Sequence, residues 1–247
     1  MTDALGWRAT FGVIAPSTNT VVEPDFHRMT VRGVTSHMGR IWIRDQQMSD
    51  NEKFQALRAQ IQAETDAACE RVLTCEPDRM VMGMSAETFW GGIEGNRQFT
   101  ERIESLTGLP VTTGAAATHR ALQVLGASRI AVITPYQPIA DENVTRFFTE
   151  SGYEVVRLEG LRCPTAVSIA RVSEERLRDV LRAIDGDDID AILQVGTNLS
   201  MVRLADEACG WLGKPVLAIN AATWWAALRD HGIEDQFEGA GPLLRDH

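Results

Sequence analysis

The feature that most restricts the fold of this 247-residue chain is an internal repeat. "VIAPST" from residue 13 matches "VITPYQ" from 132, and "DRMVMGMS" from 78 matches "DAILQVGT" from 190. "LPVTTGAAAT" ending at 118 matches "KPVLAINAAT" ending at 223. The separations are 119, 112 and 105 residues, so the matches keep their order, and each falls at the end of an apolar run. One match arises easily by chance, whereas three collinear ones describe a duplicated unit whose copies differ by short loop deletions.

Each copy alternates strand and helix signals. "FGVIAP" (11–16), "VTSHMGRIWI" (34–43), "RMVMGM" (79–84), "LPVTTG" (109–114), "RIAVITP" (129–135), "YEVVRLEG" (153–160), "DAILQVG" (190–196) and "KPVLAIN" (214–220) read as strands. Residues 51–75, 115–125, 141–151, 173–184 and 200–212 place apolar side chains at helical spacing, and "WWAALRDHG" (224–232) reads as a buried C-terminal helix. The expected fold is α/β, with two pseudo-symmetric Rossmann-like halves, mostly parallel sheets and a cleft between them where the strand ends converge. Residues 1–115 with 224–247 form the first half and 116–223 the second.

Composition restricts function less sharply. A net charge of −10 without a Lys/Arg cluster argues against nucleic acid. No run of 18 apolar residues spans a membrane, and "MTDALGWRAT" does not read as a leader, so a cytoplasmic protein is expected. Cys69, Cys75, Cys163 and Cys209 have no metal-ligand spacing.

The repeat pairs Met84 with Gly196 and Ser17 with Tyr136. The cleft should therefore be lined by Met84–Ser85, by Gly196–Thr197–Asn198 and by the loops "PSTNT" (16–20) and "PYQP" (135–138). Ser17, Thr18 and Asn19, like "GTNLS" (196–200), either cap the helix that follows or combine with backbone N–H groups to hold an anion without Lys or Arg. The pairing of these loops across the repeat favours a carboxylate ligand. Tyr136, one of two tyrosines, sits between Pro135 and Pro138, where its hydroxyl could donate to a developing oxyanion or merely cap the sheet. Glu87 and His119 are the candidate bases.

These segments, together with "VMGMSAETFWGG" (81–92), "LPVTTGAAATHRAL" (109–122), "ITPYQPIADENV" (133–144), "IARV" (169–172) and "LGKPVLAINAATWWAAL" (212–228), bring a family into view. The chain resembles the aspartate/glutamate racemase superfamily, in its maleate cis–trans isomerase and arylmalonate decarboxylase branch, nearly end to end. The resemblance implies a homodimer or homotetramer and a cofactor-independent site between the halves. In that site Asn19 and its neighbours grip a carboxylate while Tyr136 stabilises a second carboxylate or an enolate. It also implies a departure, because the two positions where such racemases carry cysteines fall on Met84 and Gly196. Neither residue offers the acidic, soft thiol that this chemistry uses.

Three readings follow. The first is an enzyme acting on a small mono- or dicarboxylate, with Tyr136, Ser85 and Thr197 catalytic and Ser17, Thr18, Asn19, Met84, Gly196 and Asn198 binding substrate. Decarboxylation, hydration or hydrolysis suits it, a step in ectoine catabolism included. The second is an isomerase that recruits Cys163, and the third is a non-catalytic binder of a carboxylate metabolite. On the first reading, cysteines placed at 84 and 196 should create racemase activity.

Overall fold

The computed structural model describes residues 3–247. Met1 and Thr2, which open the segment considered above for a leader, lie outside the described residues. Residues 9–15 are buried without a break, as a central parallel strand requires, and they form β1 (Ala9–Pro16). α1 (Val22–Arg28), β2 (Val34–Ile41), α2 (Asn51–Leu73), β3 (Arg79–Met82), α3 (Ala86–Phe89), α4 (Gly92–Thr107) and β4 (Val111–Thr112) complete the first sheet and its covering helices. Its strand order is β2-β1-β3-β4.

The pattern then recurs. α5 (Gly114–Val124) leads into β5 (Arg129–Thr134), α6 (Pro138–Glu150), β6 (Glu154–Gly160), α7 (Ala166–Ile169), α8 (Glu174–Ile184), β7 (Ala191–Gln194), α9 (Val202–Leu212) and β8 (Val216–Ala218). The second sheet runs β6-β5-β7-β8, the same order with every index advanced by four. All six pairings are parallel. The registers also match: Ile14 lies beside Met82, and Ile133 beside Gln194. The expected α/β class and duplicated parallel sheets are thus observed. In each sheet the chain leaves the central strand toward one edge and returns on its other side, which opens a crevice at the carboxyl ends of β1/β3 and of β5/β7.

α10 (Ile219–Asp230) closes the second repeat but lies across the first sheet, against β3, β4 and α1, with α5 as its principal partner. Trp224 anchors it there, its indole donating to the Met29 carbonyl at 2.7 Å and its ring 5.5 Å from that of Phe11. α11 (Pro242–Asp246) packs on its outer side.

Several boundaries differ from the sequence expectation. β3 ends at Met82, so Gly83, Met84 and Ser85 form the turn rather than the strand. α10 begins at Ile219, since β8 takes only three of the residues read as "KPVLAIN". α4, 16 residues long, has no counterpart among the expected helices. Gly91, Gly92 and Gly95 look like helix breakers in sequence, yet Gly95 is required here. A Cβ on it would lie 1.9 Å from the Trp90 carbonyl oxygen, so only glycine lets α4 start this close to the preceding turn.

Candidate active site

The two strand ends meet. The Thr197 hydroxyl donates to the Gly83 carbonyl at 3.1 Å, and the Thr197 amide donates to Ser85 Oγ at 3.2 Å. Ser85 Oγ in turn shares a 2.5 Å hydrogen bond with the Tyr136 hydroxyl. Ser85, Tyr136 and Thr197 are all buried. Burial pushes the Tyr136 phenol above its ordinary range, so it remains a neutral O–H donor at physiological pH. Three residues far apart in the chain, contributed by both halves, therefore make one contact at the base of a cavity of about 80 Å3. That is well below the roughly 300 Å3 at which drug-sized sites begin, and it suits a ligand of a few heavy atoms.

The cavity has unlike walls. Thr18, Asn19, Ser85, Gly196, Thr197 and Asn198 lie on the polar side. Ile43, Met48, Phe54, Leu57, Ile61, Met84 and Ile169 supply the apolar side. Met84 and Gly196, paired by the repeat, both reach it. A sequence-derived pairing across 112 residues has become a shared wall.

Other expectations take a different form. Ser17 does not line the cavity: it is exposed, and its hydroxyl accepts from the Ile43 amide at 3.1 Å. The loop around it is a joint more than an anion cradle. The amides of Ser17, Asn19 and Thr20 go to the Ile41 carbonyl, the Pro16 carbonyl and Asn198 Oδ1, and Asn19 Oδ1 takes those of Val21 and Val22. Asn19 thus satisfies the orphan amides at the start of α1 while its Nδ2 donates to Thr197 Oγ1 at 3.0 Å. Asn198 Nδ2 reaches across to the Ala166 carbonyl at 2.9 Å. Capping and lining are here done by the same side chains.

Cys163 is buried but does not line the cavity; its carbonyl accepts from Gln137 Nε2, and burial pushes its thiol up to about 11. Cys69, Cys75 and Cys209 are likewise absent from the walls. His119 lies elsewhere, its Nδ1 3.1 Å from the Tyr153 hydroxyl. Of the two candidate bases only Glu87 reaches the cavity. It is 4% exposed, and its carboxyl is pushed up to about 7, mainly by burial and against the pull of Arg58 and Gln62.

Arg58 is the residue that sequence reasoning missed. It lies about two turns into α2, its Nε is 2.8 Å from Glu87 Oε1, and its guanidinium lies 4.0 Å from the centre of the Trp90 ring. The Nε–H points too obliquely at the carboxylate to count as a hydrogen bond, so the contact is ionic. An arginine at helical spacing among Phe54, Leu57 and Ile61 breaks an apolar stripe, and that was the available signal. The walls are consequently not wholly neutral. Among the described residues no group of three His, Cys, Asp or Glu is placed to hold a metal ion, and no helix is long and apolar enough to cross a membrane.

The arylmalonate decarboxylase family model matches residues 54–244. A maleate isomerase of Pseudomonas putida is 26% identical over 239 residues, covering 94% of this chain and 96% of its own. An arylmalonate decarboxylase of Bordetella bronchiseptica is 30% identical over 151 residues, 60% of this chain and 62% of its own. Among solved structures, a Nocardia farcinica maleate cis–trans isomerase mutant with a covalently bound succinylcysteine intermediate superposes with a TM-score of 0.85 at 21% identity. That likeness covers 97% of this chain and 99% of that one.

Proposed function

The chain belongs to the arylmalonate decarboxylase family, and from that premise we propose a cofactor-independent enzyme of lyase or isomerase type, acting on a small mono- or dicarboxylate without a cysteine nucleophile. The observation that carries this reading is the Ser85–Tyr136–Thr197 contact, which joins both halves at the base of a cavity with no thiol on its walls.

Ser85 and Tyr136 are neutral hydroxyls held in place before any ligand arrives: the Thr197 amide fixes Ser85 Oγ, one hydroxyl proton closes the Ser85–Tyr136 bond, and the other is free to donate. Such donors act where negative charge develops during reaction, and burial strengthens them because water is kept away. A carboxylate set among them becomes the oxyanion end of an enediolate when a bond at its α-carbon breaks. The apolar wall faces the rest of the ligand, where a second carboxylate is poorly solvated and its release as uncharged CO2 is favoured. The Nocardia relative carries a succinyl group on a cysteine. The two sulfurs on this cavity wall, those of Met48 and Met84, are thioethers with no proton to lose and no thiolate to offer. Decarboxylation, which calls for charge stabilisation and a proton donor, therefore fits this site better than isomerisation through a thioether adduct. Gly196, Asn198, Thr18 and Asn19 shape the carboxylate end, and Met84 shapes the apolar end.

The test is a panel of substituted malonates, maleate, aspartate, hydantoins and ectoine derivatives, scored first by thermal stabilisation and then by turnover. At least one acid should be consumed. Tyr136→Phe should lower kcat about 100-fold, the cost of one missing oxyanion donor, and leave the ligand-induced stabilisation largely intact. Stabilisation by a ligand with no turnover would make the protein a metabolite binder instead.

A further inference from the structure

Three residues on the cavity wall can carry charge: Arg58, Glu87 and Tyr136. Arginine does not release its proton in proteins, and burial keeps the Tyr136 phenol protonated. By elimination, Glu87 is the wall group able to exchange a proton near neutrality.

Its position adds a second, independent point. Behind the cavity lies a separate groove lined by Gln62, Trp90, Gln98 and Arg102, and Arg58 and Glu87 belong to both. These two side chains form the partition between the ligand cavity and the groove. The partition is built with care. α3 carries Glu87 at its second position, and α2 reaches across with Arg58 and Gln62, whose Nε2 donates to Glu87 Oε2 at 3.1 Å. Arg102 faces it from α4 and is itself paired with Asp66 of α2 at 2.5 Å. The remaining titratable neighbour, Tyr136, comes from the loop before α6.

We infer that Glu87 is the catalytic acid of this site, giving a proton to the substrate carbon on the cavity side and regaining it from water on the groove side, with Arg58 and Gln62 as positioning residues. This rests on the decarboxylase reading above. In the step, the C–C bond to one carboxylate breaks and CO2 leaves. The electron pair stays on the α-carbon, spread into the remaining carboxylate as an enediolate. That carbon takes the Glu87 proton, and Glu87 is left as a carboxylate beside Arg58. A solvent proton entering through the groove restores the acid, so one proton is consumed per CO2 released.

The experiment uses the full chain and an acid that the wild type consumes. The wild-type kcat should fall tenfold per pH unit above about 7, as the acid form of Glu87 is lost. Glu87→Gln should lower kcat by about 100- to 10,000-fold with KM within a few-fold, and should abolish that alkaline limb. Glu87→Asp keeps an acid and should recover part of the rate. Arg58→Gln removes the nearest cation, eases protonation of Glu87 and should move the limb to higher pH. A folded Glu87→Gln enzyme, judged by its melting curve, that keeps most of its kcat or the same limb overturns the assignment. If Glu87→Gln fails to fold, an unmoved limb in Arg58→Gln does the same. Absence of wild-type turnover on every acid overturns the decarboxylase reading and this inference together, whereas normal wild-type turnover with an indifferent Glu87→Gln overturns this one alone.

Discussion

The two halves share a frame and differ in what they bring to it. Both run their strands in the same order and align them in the same register. Thr118 and Thr223, 105 residues apart, do the same job: each hydroxyl donates to the carbonyl four residues earlier, at 2.8 and 2.7 Å. The helices that leave β2 and β6 are not alike. α2 runs for 23 residues and supplies Phe54, Leu57, Arg58 and Ile61 to the cavity, whereas β6 leads into the four-residue α7, which supplies Ala166 and Ile169, and then into α8, which runs for 11 and supplies none. The first half also gives the acidic partition through α3. The second half gives a backbone turn, 196–198, and the Tyr136 hydroxyl. Duplication thus accounts for where the cavity lies, and the unmatched parts account for what it can do.

The sharpest contrast lies at the paired strand ends. Met84 has an ordinary backbone, while Gly196 sits at φ +115. A Cβ on Gly196 would meet Pro135 Cδ at 2.6 Å and Cγ at 2.7 Å. The expectation that cysteines at 84 and 196 would create a racemase fails at the second position, because the turn has no room for any side chain there. Gly196→Cys should cost about 3 kcal/mol or more, from a left-handed backbone and a clash with a rigid ring. That corresponds to a fall in Tm of roughly 6–12 °C for a chain of this size. Met84→Cys only shortens a buried side chain and should cost about 1–2 kcal/mol. Melting curves of the two variants check this, and equal Tm values would show the strand ends to be interchangeable after all.

A second asymmetry lies one turn further on. The repeat pairs Asn220, at the start of α10, with Ala115 at the start of α5. α5 is capped by Thr113, whose side chain accepts from the Ala116 amide, whereas α10 has no side-chain cap. Asn220 instead donates to the Thr197 carbonyl at 3.0 Å and to Asp25 Oδ2 at 2.8 Å. Asp25 is buried, and its carboxyl is raised chiefly by that burial. Asn220→Ala leaves this acid and the Thr197 carbonyl without their donor, so it should lower stability by about 2 kcal/mol and weaken ligand stabilisation with it. Ala115→Asn, at the matching position, should leave ligand stabilisation unchanged. Thermal shifts with and without ligand separate the two, and an equal loss from both would mean the starts of α5 and α10 serve the site alike.

How far this was readable in the sequence follows from the same division. Strands and repeat were legible because central parallel strands are continuous apolar runs, and their ends carry the matched motifs. Ser85, Thr197, Asn19 and Met84 were legible as residues lining the cavity because they stand at those ends. α4 was hidden by three glycines near its start, one of which is there for close approach to Trp90 rather than to break a helix. Arg58 was hidden for a related reason: it comes from the middle of a long helix that only the tertiary fold lays over the cleft. The placement of Ser17 outside the cavity depended on the Ile43 amide, 26 residues away, which no local pattern predicts.

The smallest expected effect concerns how the halves are held together at the mouth. The segment between β2 and α2 leaves the first half and docks on the second. Gln47 bridges to Thr165, and the Met48 amide donates to the Pro164 carbonyl at 2.8 Å. Asp45 Oδ1 accepts from the Val167 amide, and Asn51 Oδ1 from the Ile139 amide, each at 3.1 Å. Because Ile43 and Met48 line the cavity, this strap forms part of its wall as well as tying the halves. Its side-chain bonds are solvent-exposed, so each contributes on the order of 0.5 kcal/mol. Asp45→Ala combined with Asn51→Ala should therefore shift Tm by only a few degrees. The backbone contacts at 47 and 48 should still seat the strap, so kcat should stay within about twofold while KM rises several-fold. A double variant whose kcat collapses while KM holds would mean that the strap positions the reacting groups rather than retaining the ligand, and the mouth would then belong to the chemistry rather than to the frame.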